Sequence, residues 1–248
     1  MPLTNTQNER YKRHLMLENF GEIGQQKLLN AHVVIVGAGG LGSPAALYLA
    51  SAGIGKLTLV DHDCIDLSNL QRQILHSSET IGKLKVASAK MALSRVNTEV
   101  LVVPIPEKAT DANLPEIIKN ADVVLDCTDN FAARHVINRA CLQAKKTFVS
   151  GAIRQFSGQM SVFGLNEDKN PCYHCLFPEE KNPQPTPVLG VFAPVVGIIG
   201  ALLAAEAIKI ITGIGEPAIG KLLMYDAKNA AWQTMLYEKN LACAACAK

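Results

Sequence analysis

Several common signatures are missing from this chain, and each absence removes a class. The net charge is only +2 over 248 residues. There is no basic run, and the few aromatics, 5% of the residues, are not interleaved with lysine and arginine. No nucleic-acid footprint follows from such a pattern. Met1 to Arg10 holds no apolar core of a signal peptide, so no export is expected and the cytoplasm is the expected compartment. The most apolar stretch, residues 191–205, is short for a membrane span, carries Pro194 early, and is followed by Glu206 and Lys209. It is expected to be a buried helix or a subunit interface, with no membrane partner. No Gly-Lys-Ser/Thr closes the glycine turn near residue 40, which excludes a P-loop.

What is present begins at His32. His32-Val-Val-Ile-Val36 is an unbroken apolar, β-branched run, and Gly37-Ala-Gly39-Gly40-Leu-Gly42 follows directly. Residues 43–52 read as a helix, and Lys56-Leu-Thr-Leu-Val60 as a second strand ending at Asp61. Strand, glycine turn, helix, strand and acid together form the fingerprint of a nucleotide site. Gly37 permits the tight turn. Gly39 and Gly40 let backbone N–H groups approach a phosphate at the helix N-terminus. Asp61 stands where a carboxylate accepts ribose hydroxyls.

Residues 9–16 and 22–30 read as short amphipathic helices ahead of this core. Arg10 and Arg13 are either a solvated helix face or guanidinium groups that the arm delivers to a neighbour. After Asp61 comes a polar, turn-rich loop. Its Asn69, Gln71 and Arg72 are suitable donors to phosphate or ribose, or else satisfy the loop's own backbone. Residues 81–85 open a further helix, which runs to about Val96. Lys83 and Lys85 lie at its N-terminal end, electrostatically the wrong end for cations; a nearby anion would remove the conflict and suggests a phosphate role for one of them, a solvated lysine being the commoner alternative.

Further strands at 100–103, Val123-Val-Leu-Asp126 and 146–150 alternate with helices at 112–120 and 131–144, which implies a parallel sheet with right-handed crossovers. Asp129 then falls on the same rim as Gly39 and Asp61. It suits Mg²⁺ beside a triphosphate, although Asp129 or Asn130 could equally cap the following helix. Strands at 159–163, 221–225 and 232–237 imply an antiparallel or mixed extension. Cys172-Tyr-His-Cys175 and Cys243-Ala-Ala-Cys246 form two CxxC knuckles, the spacing of a tetrahedral Cys₄ zinc site; a redox pair is the alternative. Cys64, Cys127 and Cys141 are unpaired. The fold class is α/β: a Rossmann-like, mostly parallel sheet with an antiparallel C-terminal extension and a structural zinc site. Residues 178–187, polar and rich in proline, read as an extended crossover.

Taken together, Arg10-Tyr-Lys-Arg13, the glycine turn, Asp61, Ser68-Asn-Leu-Gln-Arg-Gln73, Asp126-Cys-Thr-Asp-Asn130 and the two CxxC pairs resemble the MoeB/ThiF family, relatives of the ubiquitin-activating enzymes. The resemblance covers essentially the whole chain. It implies one adenylyltransferase domain over 1–248, with a helical arm (1–30), a nucleotide-binding half (31–150) and a carrier-binding and zinc half (151–248). The implied reaction is attack by the C-terminal Gly-Gly carboxylate of a small ubiquitin-like sulfur carrier on the α-phosphorus of ATP, giving acyl-adenylate and pyrophosphate. By motif position, the nucleotide would be held by Gly40, Asp61, Ser68, Asn69, Leu70, Gln71, Arg72, Lys85, Asp129 and Asn130. Arg13, Arg72, Lys85 and Asp129 would carry the chemistry, with Asp129 on Mg²⁺ and Arg13 arriving from the partner of a homodimer. Zn²⁺ would sit on Cys172, Cys175, Cys243 and Cys246. The molybdopterin-type carrier is favoured over the thiamine-type one. One departure stands out: many relatives carry a Cys four residues before the equivalent of Gly190, and here that position is Thr186. A reaction ending at the adenylate is the simpler expectation.

Overall fold

A computed structural model of the chain describes residues 2–179 and 189–247. An arm of three short helices, α1 (Asn5–Arg10), α2 (Lys12–Leu15) and α3 (Gly21–Asn30), precedes the core. Then follow β1 (His32–Val36), α4 (Gly42–Ala52), β2 (Lys56–Val60), α5 (Lys85–Val96), β3 (Leu101–Ile105), α6 (Leu114–Ile118), β4 (Val123–Asp126), α7 (Phe131–Ala144) and β5 (Thr147–Arg154). The second half adds β6 (Ser157–Gly164), α8 (Tyr173–Leu176), α9 (Ala193–Thr212), β7 (Lys221–Asp226) and β8 (Ala231–Leu236).

Among the described residues, eight strands form one sheet in the order β3-β2-β1-β4-β5-β6-β7-β8. Pairing is parallel from β3 to β5 and antiparallel from β5 to β8. The central strands β1 and β4 are buried along their whole length because both faces of the sheet are covered there. Val33 and Ile35 of β1 face the layer holding α4, α5 and α9; Val34 and Val36 face α6, α7 and α8.

The apolar stretch becomes α9, which starts at Ala193 and runs to Thr212. Among the described residues it alone is long and apolar enough to cross a membrane, and half of it is buried inside the structure. Its Gly200 explains the intimacy of the α4–α9 contact: a Cβ there would stand 2.3 Å from Pro44 Cγ and 2.6 Å from the Leu41 carbonyl. The buried Glu206 carboxylate on the same helix accepts from Lys209 Nζ at 2.5 Å and from the Ala218 N–H at 2.9 Å. A half-buried helix with a satisfied buried acid fits the buried-helix or interface expectation.

The arm is docked through Tyr11, which is buried. Asn97 Nδ2 donates to its hydroxyl at 2.9 Å, and its ring lies so close to Gly53, φ +86°, that a Cβ there would be 2.5 Å away. Tyr11 is therefore held at the C-terminal ends of α4 and α5.

Several boundaries differ from the sequence expectation: the single helix expected over 9–16 is two, Asn5–Arg10 and Lys12–Leu15, and the strand expected over 100–103 is Leu101–Ile105. The helix expected from Ile81 begins at Lys85, because Gly82 takes φ +81° and Leu84 is extended. The helix expected over 112–120 contracts to Leu114–Ile118. β5 runs past residue 150 to Arg154 because it pairs with β6 along the whole hairpin. Most of the proline-rich run, including Thr186, lies outside the described residues.

Candidate active site

β1 pairs with β2 on one side and β4 on the other, and the chain leaves all three strands at their carboxyl ends. That is the switch point of a doubly wound sheet, where ligands bind. The turn after β1 is gripped at a single residue. Asp61 Oδ2 accepts the Ala38 N–H at 2.8 Å, and His76 Nε2 donates to the Ala38 carbonyl at 2.9 Å. With Nε2 protonated, His76 Nδ1 accepts from the buried Ser88 hydroxyl at 3.1 Å. Burial lowers the His76 pKa, reinforced by the Lys85 charge and opposed by the Ala38 bond and Asp61.

The glycines serve close approach. Gly37, φ +99°, would put a Cβ 2.7 Å from the Cys127 carbonyl, so the loop after β4 abuts the turn. A Cβ on Gly42 would meet the Gly37 carbonyl at 2.0 Å. Gly40 leaves room for Val196 of α9 (2.9 Å from a Cβ) and for the stem of Arg72 (3.8 Å).

A 3-10 turn at Leu67–Asn69 shapes the polar loop. The Asp66 N–H donates to Asn69 Oδ1, and the Asn69 carbonyl accepts from the Arg72 and Gln73 N–H groups. Arg72 Nη1 donates to the Ser68 carbonyl at 3.2 Å, and Gln71 Nε2 to the Val191 carbonyl at 3.2 Å. Leu70 completes the turn through its N–H on the Leu67 carbonyl. Gln73 is buried against Gly39, and its Oε1 has no partner among the described residues.

Lys85 is the first residue of α5 and is buried, with its Nζ 2.8 Å from Asp63 Oδ2. The anion that would remove the conflict at this helix end is thus supplied by the protein itself. The bond to Lys85 holds the Asp63 carboxyl below the usual range. The Asp63 N–H in turn donates to Asp61 Oδ1 at 2.9 Å, so Ala38, Asp61, Asp63 and Lys85 form one continuous chain. Lys83 is exposed and outside the helix.

On the β4 side, Asp126 is fully buried. It accepts from Ser150 Oγ at 2.6 Å and from the Thr128 N–H and hydroxyl at 3.1 and 2.7 Å. Burial raises its pKa against the opposing Arg134 charge. Arg134 Nη2 ties down the Thr128 carbonyl at 3.0 Å; its Nε is 3.8 Å from Asp126 Oδ2, too far for a hydrogen bond. Asn130 Oδ1 caps α7 by accepting the Ala133 N–H at 2.9 Å, which answers the capping question in favour of Asn130. Asp129 is left exposed on the rim, with Oδ1 taking Asn130 Nδ2 at 3.1 Å. Cys127 is buried, and burial pushes its thiol well up.

The rim thus gathers Gly40, Asp61, Arg72, Lys85 and Asp129 around one turn. It does not gather Arg13, which is exposed on α2. Tyr11 anchors the arm at the far end of α4, and an 11-residue helix is about 16 Å long. Sequence reasoning missed His76, Asp63, Gln73 and Arg134 as positioning groups. Only the acid-rich run around Asp63 gave any hint, through the anion suggested at that helix end.

The two CxxC knuckles meet. Cys172 Sγ is 3.8 Å from Cys175 Sγ and 3.7 Å from Cys243 Sγ, and Cys175 Sγ is 3.5 Å from Cys246 Sγ. Four thiolates about 2.3 Å from one ion are separated by about 3.8 Å, so the set fits a tetrahedral Zn²⁺ and is too open for disulfides. Asn138 Nδ2 approaches Cys172 Sγ at 3.8 Å, and Asn138 Oδ1 accepts the Tyr173 N–H, fixing the first knuckle to α7.

This chain is similar to proteins of known name over nearly its whole length. It is 47% identical to the molybdopterin-synthase adenylyltransferase of Escherichia coli K12 over 240 residues, 96% of this chain and 95% of that one. It is 41% identical to the sulfur carrier protein ThiS adenylyltransferase of the same organism over 238 residues, 96% and 94% of the two chains. Among solved structures, E. coli MccB with MccA-N7isoASN superposes with a TM-score of 0.87 at 26% identity, covering 99% of this chain and 76% of that one. MccB with ATP superposes at 0.83 and 27% identity, covering 96% and 74%. The ThiF family model matches residues 11–245, and the chain belongs to the ThiF family.

Proposed function

We propose that this chain adenylylates the C-terminal glycine carboxylate of a small ubiquitin-like sulfur carrier with ATP, releasing pyrophosphate. The observation that carries the reading is the locked Ala38 backbone, ringed on one rim by Arg72, Lys85 and Asp129. The names of relatives at 47% and 41% identity support the carrier as substrate. The higher of these favours the molybdopterin-type carrier, with the thiamine-type carrier as the alternative.

The attacking carboxylate is already ionised at neutral pH and needs no general base. The obstacle is its repulsion from the triphosphate, together with the charge that builds on the leaving pyrophosphate. Preorganised cations offset both. In this reading Arg72 and Lys85 contact phosphates, Gly40 and residues 68–71 pack against the nucleotide, and Asp61 accepts from the ribose while keeping the turn in place. Asp129 Oδ2 has no protein partner among the described residues and would hold Mg²⁺, which would supply positive charge to offset the charge of the phosphates. Arg13 enters from a partner subunit, because its own rim is out of reach; the half-buried α9 is the surface through which we infer the homodimer packs. The Cys₄ set holds a structural Zn²⁺. All seven cysteines are free, which suits a reducing compartment such as the cytoplasm.

Intact-mass measurement of a Gly-Gly carrier incubated with the chain, ATP and Mg²⁺ tests the reading. A carrier heavier by one adenylyl group, absent when the terminal glycine is deleted, is expected. An unmodified carrier with ATP bound to the chain would leave a nucleotide-binding scaffold instead.

A further inference from the structure

The buried histidines of this chain are hydrogen-bonded, with one exception. His32 uses Nδ1 on the Asn120 carbonyl and Nε2 on Thr58 Oγ1; His76 uses both nitrogens on Ser88 and Ala38. His135 on α7 is only 3% exposed, yet neither ring nitrogen has a hydrogen-bond partner among the described residues. Its ring instead faces Tyr173 edge-on at 5.3 Å and His174 at 5.6 Å. Its nitrogens are not among the solvent-sealed atoms that lack a partner, which are Gln73 Oε1 and Arg134 Nε among the described residues, so an imidazole with no protein partner still faces an opening to solvent.

What surrounds His135 is a donor set. One ligand atom each from His135, His174 and Glu179 lies within 4.8 Å of the others. We propose that these three residues form a second divalent-cation site of the zinc class, beside the Cys₄ centre and separate from it. Two imidazoles and a carboxylate are ordinary Zn²⁺ ligands, and three of them leave a fourth position for water. Donors about 2.0–2.2 Å from an ion lie about 3.3–3.6 Å apart, so the set needs to close by no more than about 1.5 Å. The movement falls on the partly exposed His174 and the exposed Glu179, while His135 stays fixed in α7.

Two existing contacts bear on the closure. Arg139 Nη1 reaches Glu179 at 3.1 and 3.4 Å, but its guanidinium is also held by Asp111 at 2.8 and 3.0 Å and does not depend on Glu179. The Glu179 N–H donates to His174 Nδ1 at 3.4 Å, a long bond that already folds the carboxylate-bearing residue back toward the ring. The zinc knuckle fixes the backbone of His174 between two cysteines. An ion here would join that knuckle, and the chain leaving it at Glu179, to the helix whose first turn follows Asp129.

The test is metal stoichiometry of the full-length chain equilibrated with buffered Zn²⁺, then with Co²⁺ as an optical probe. Two ions per wild-type chain are expected, and one in His135→Asn and in Glu179→Gln. The second Co²⁺ should add ligand-field absorption without further thiolate charge transfer. One ion per wild-type chain, two retained in both variants, or thiolate absorption that grows with the second equivalent would each overturn the site. His135→Asn alters a buried side chain; if it does not fold, Glu179→Gln and His174→Ala, which alter accessible ones, decide the matter by the same count.

Discussion

Lys85 Nζ and Asp63 Oδ2 stand 2.8 Å apart at the N-terminus of α5. A buried ammonium at the positive end of a helix is doubly unfavourable, and Asp63 removes the conflict. Asp63 is half exposed, so an incoming phosphate can compete for the same ammonium. The ion pair is therefore a holding contact that keeps Lys85 aimed at the rim. Lys85→Met should lower adenylate formation by about 10- to 100-fold, the worth of one charge-assisted hydrogen bond, roughly 1.5–3 kcal/mol. Asp63→Asn should lower it far less. Single-turnover rates for both variants check the ranking, and an unchanged rate in Lys85→Met would remove Lys85 from the chemistry.

Acid should loosen the turn before it affects the carboxylates. Folding lowers the pKa of His32 and His76 below the ordinary 6.5, chiefly by burial. Between the folded and unfolded values the unfolded chain binds more protons, so stability rises with pH there. Full stability is expected above about 6.5, with progressive loss as pH falls through the lowered values. Thermal melts across this range should show Tm dropping, and the drop should shrink in His76→Gln. A flat Tm would contradict the buried neutral imidazole at Ala38.

Arg13 is predicted to act across a dimer. Arg13→Ala and Asp129→Ala should each be nearly inactive alone, with the fold intact. In a mixed two-fold dimer one of the two sites regains both residues, so random mixing should restore about a quarter of wild-type activity. Subunit exchange followed by an activity assay measures it, and no recovery on mixing would place Arg13 in its own site or outside the reaction.

The Cys₄ centre is predicted to support the fold and not the chemistry. Four sulfurs leave no open position on the ion. Cys175→Ser should lose that zinc and destabilise the chain by more than about 3 kcal/mol, since structural zinc contributes directly to folding. Whatever protein remains folded should keep its turnover per folded chain. A zinc-free variant of wild-type stability would argue against a structural role.

The sequence made the centre of the nucleotide half legible because β1 and β4 are buried on both faces. β1, β2, β4 and α7 begin and end where the apolar runs and the Asn130 cap place them. The CxxC spacing likewise anticipated the meeting of four sulfurs. Side-chain pairing across the fold was not legible. Nothing in the run around His76 marks it as the group that grips Ala38, 38 positions away, and Asp63 reads as one more polar loop residue. Arg13 carried a family position but no local sign of where its helix would dock; Tyr11, packed against Gly53, settles that.

The most direct test of the account is ATP–pyrophosphate exchange by the purified chain with Mg²⁺, run against a molybdopterin-type carrier and a thiamine-type carrier, each ending in Gly-Gly. The account predicts exchange that requires a carrier, proceeds faster with the molybdopterin type, and disappears in Asp129→Ala. Measurable ATP binding without exchange on either carrier would contradict it.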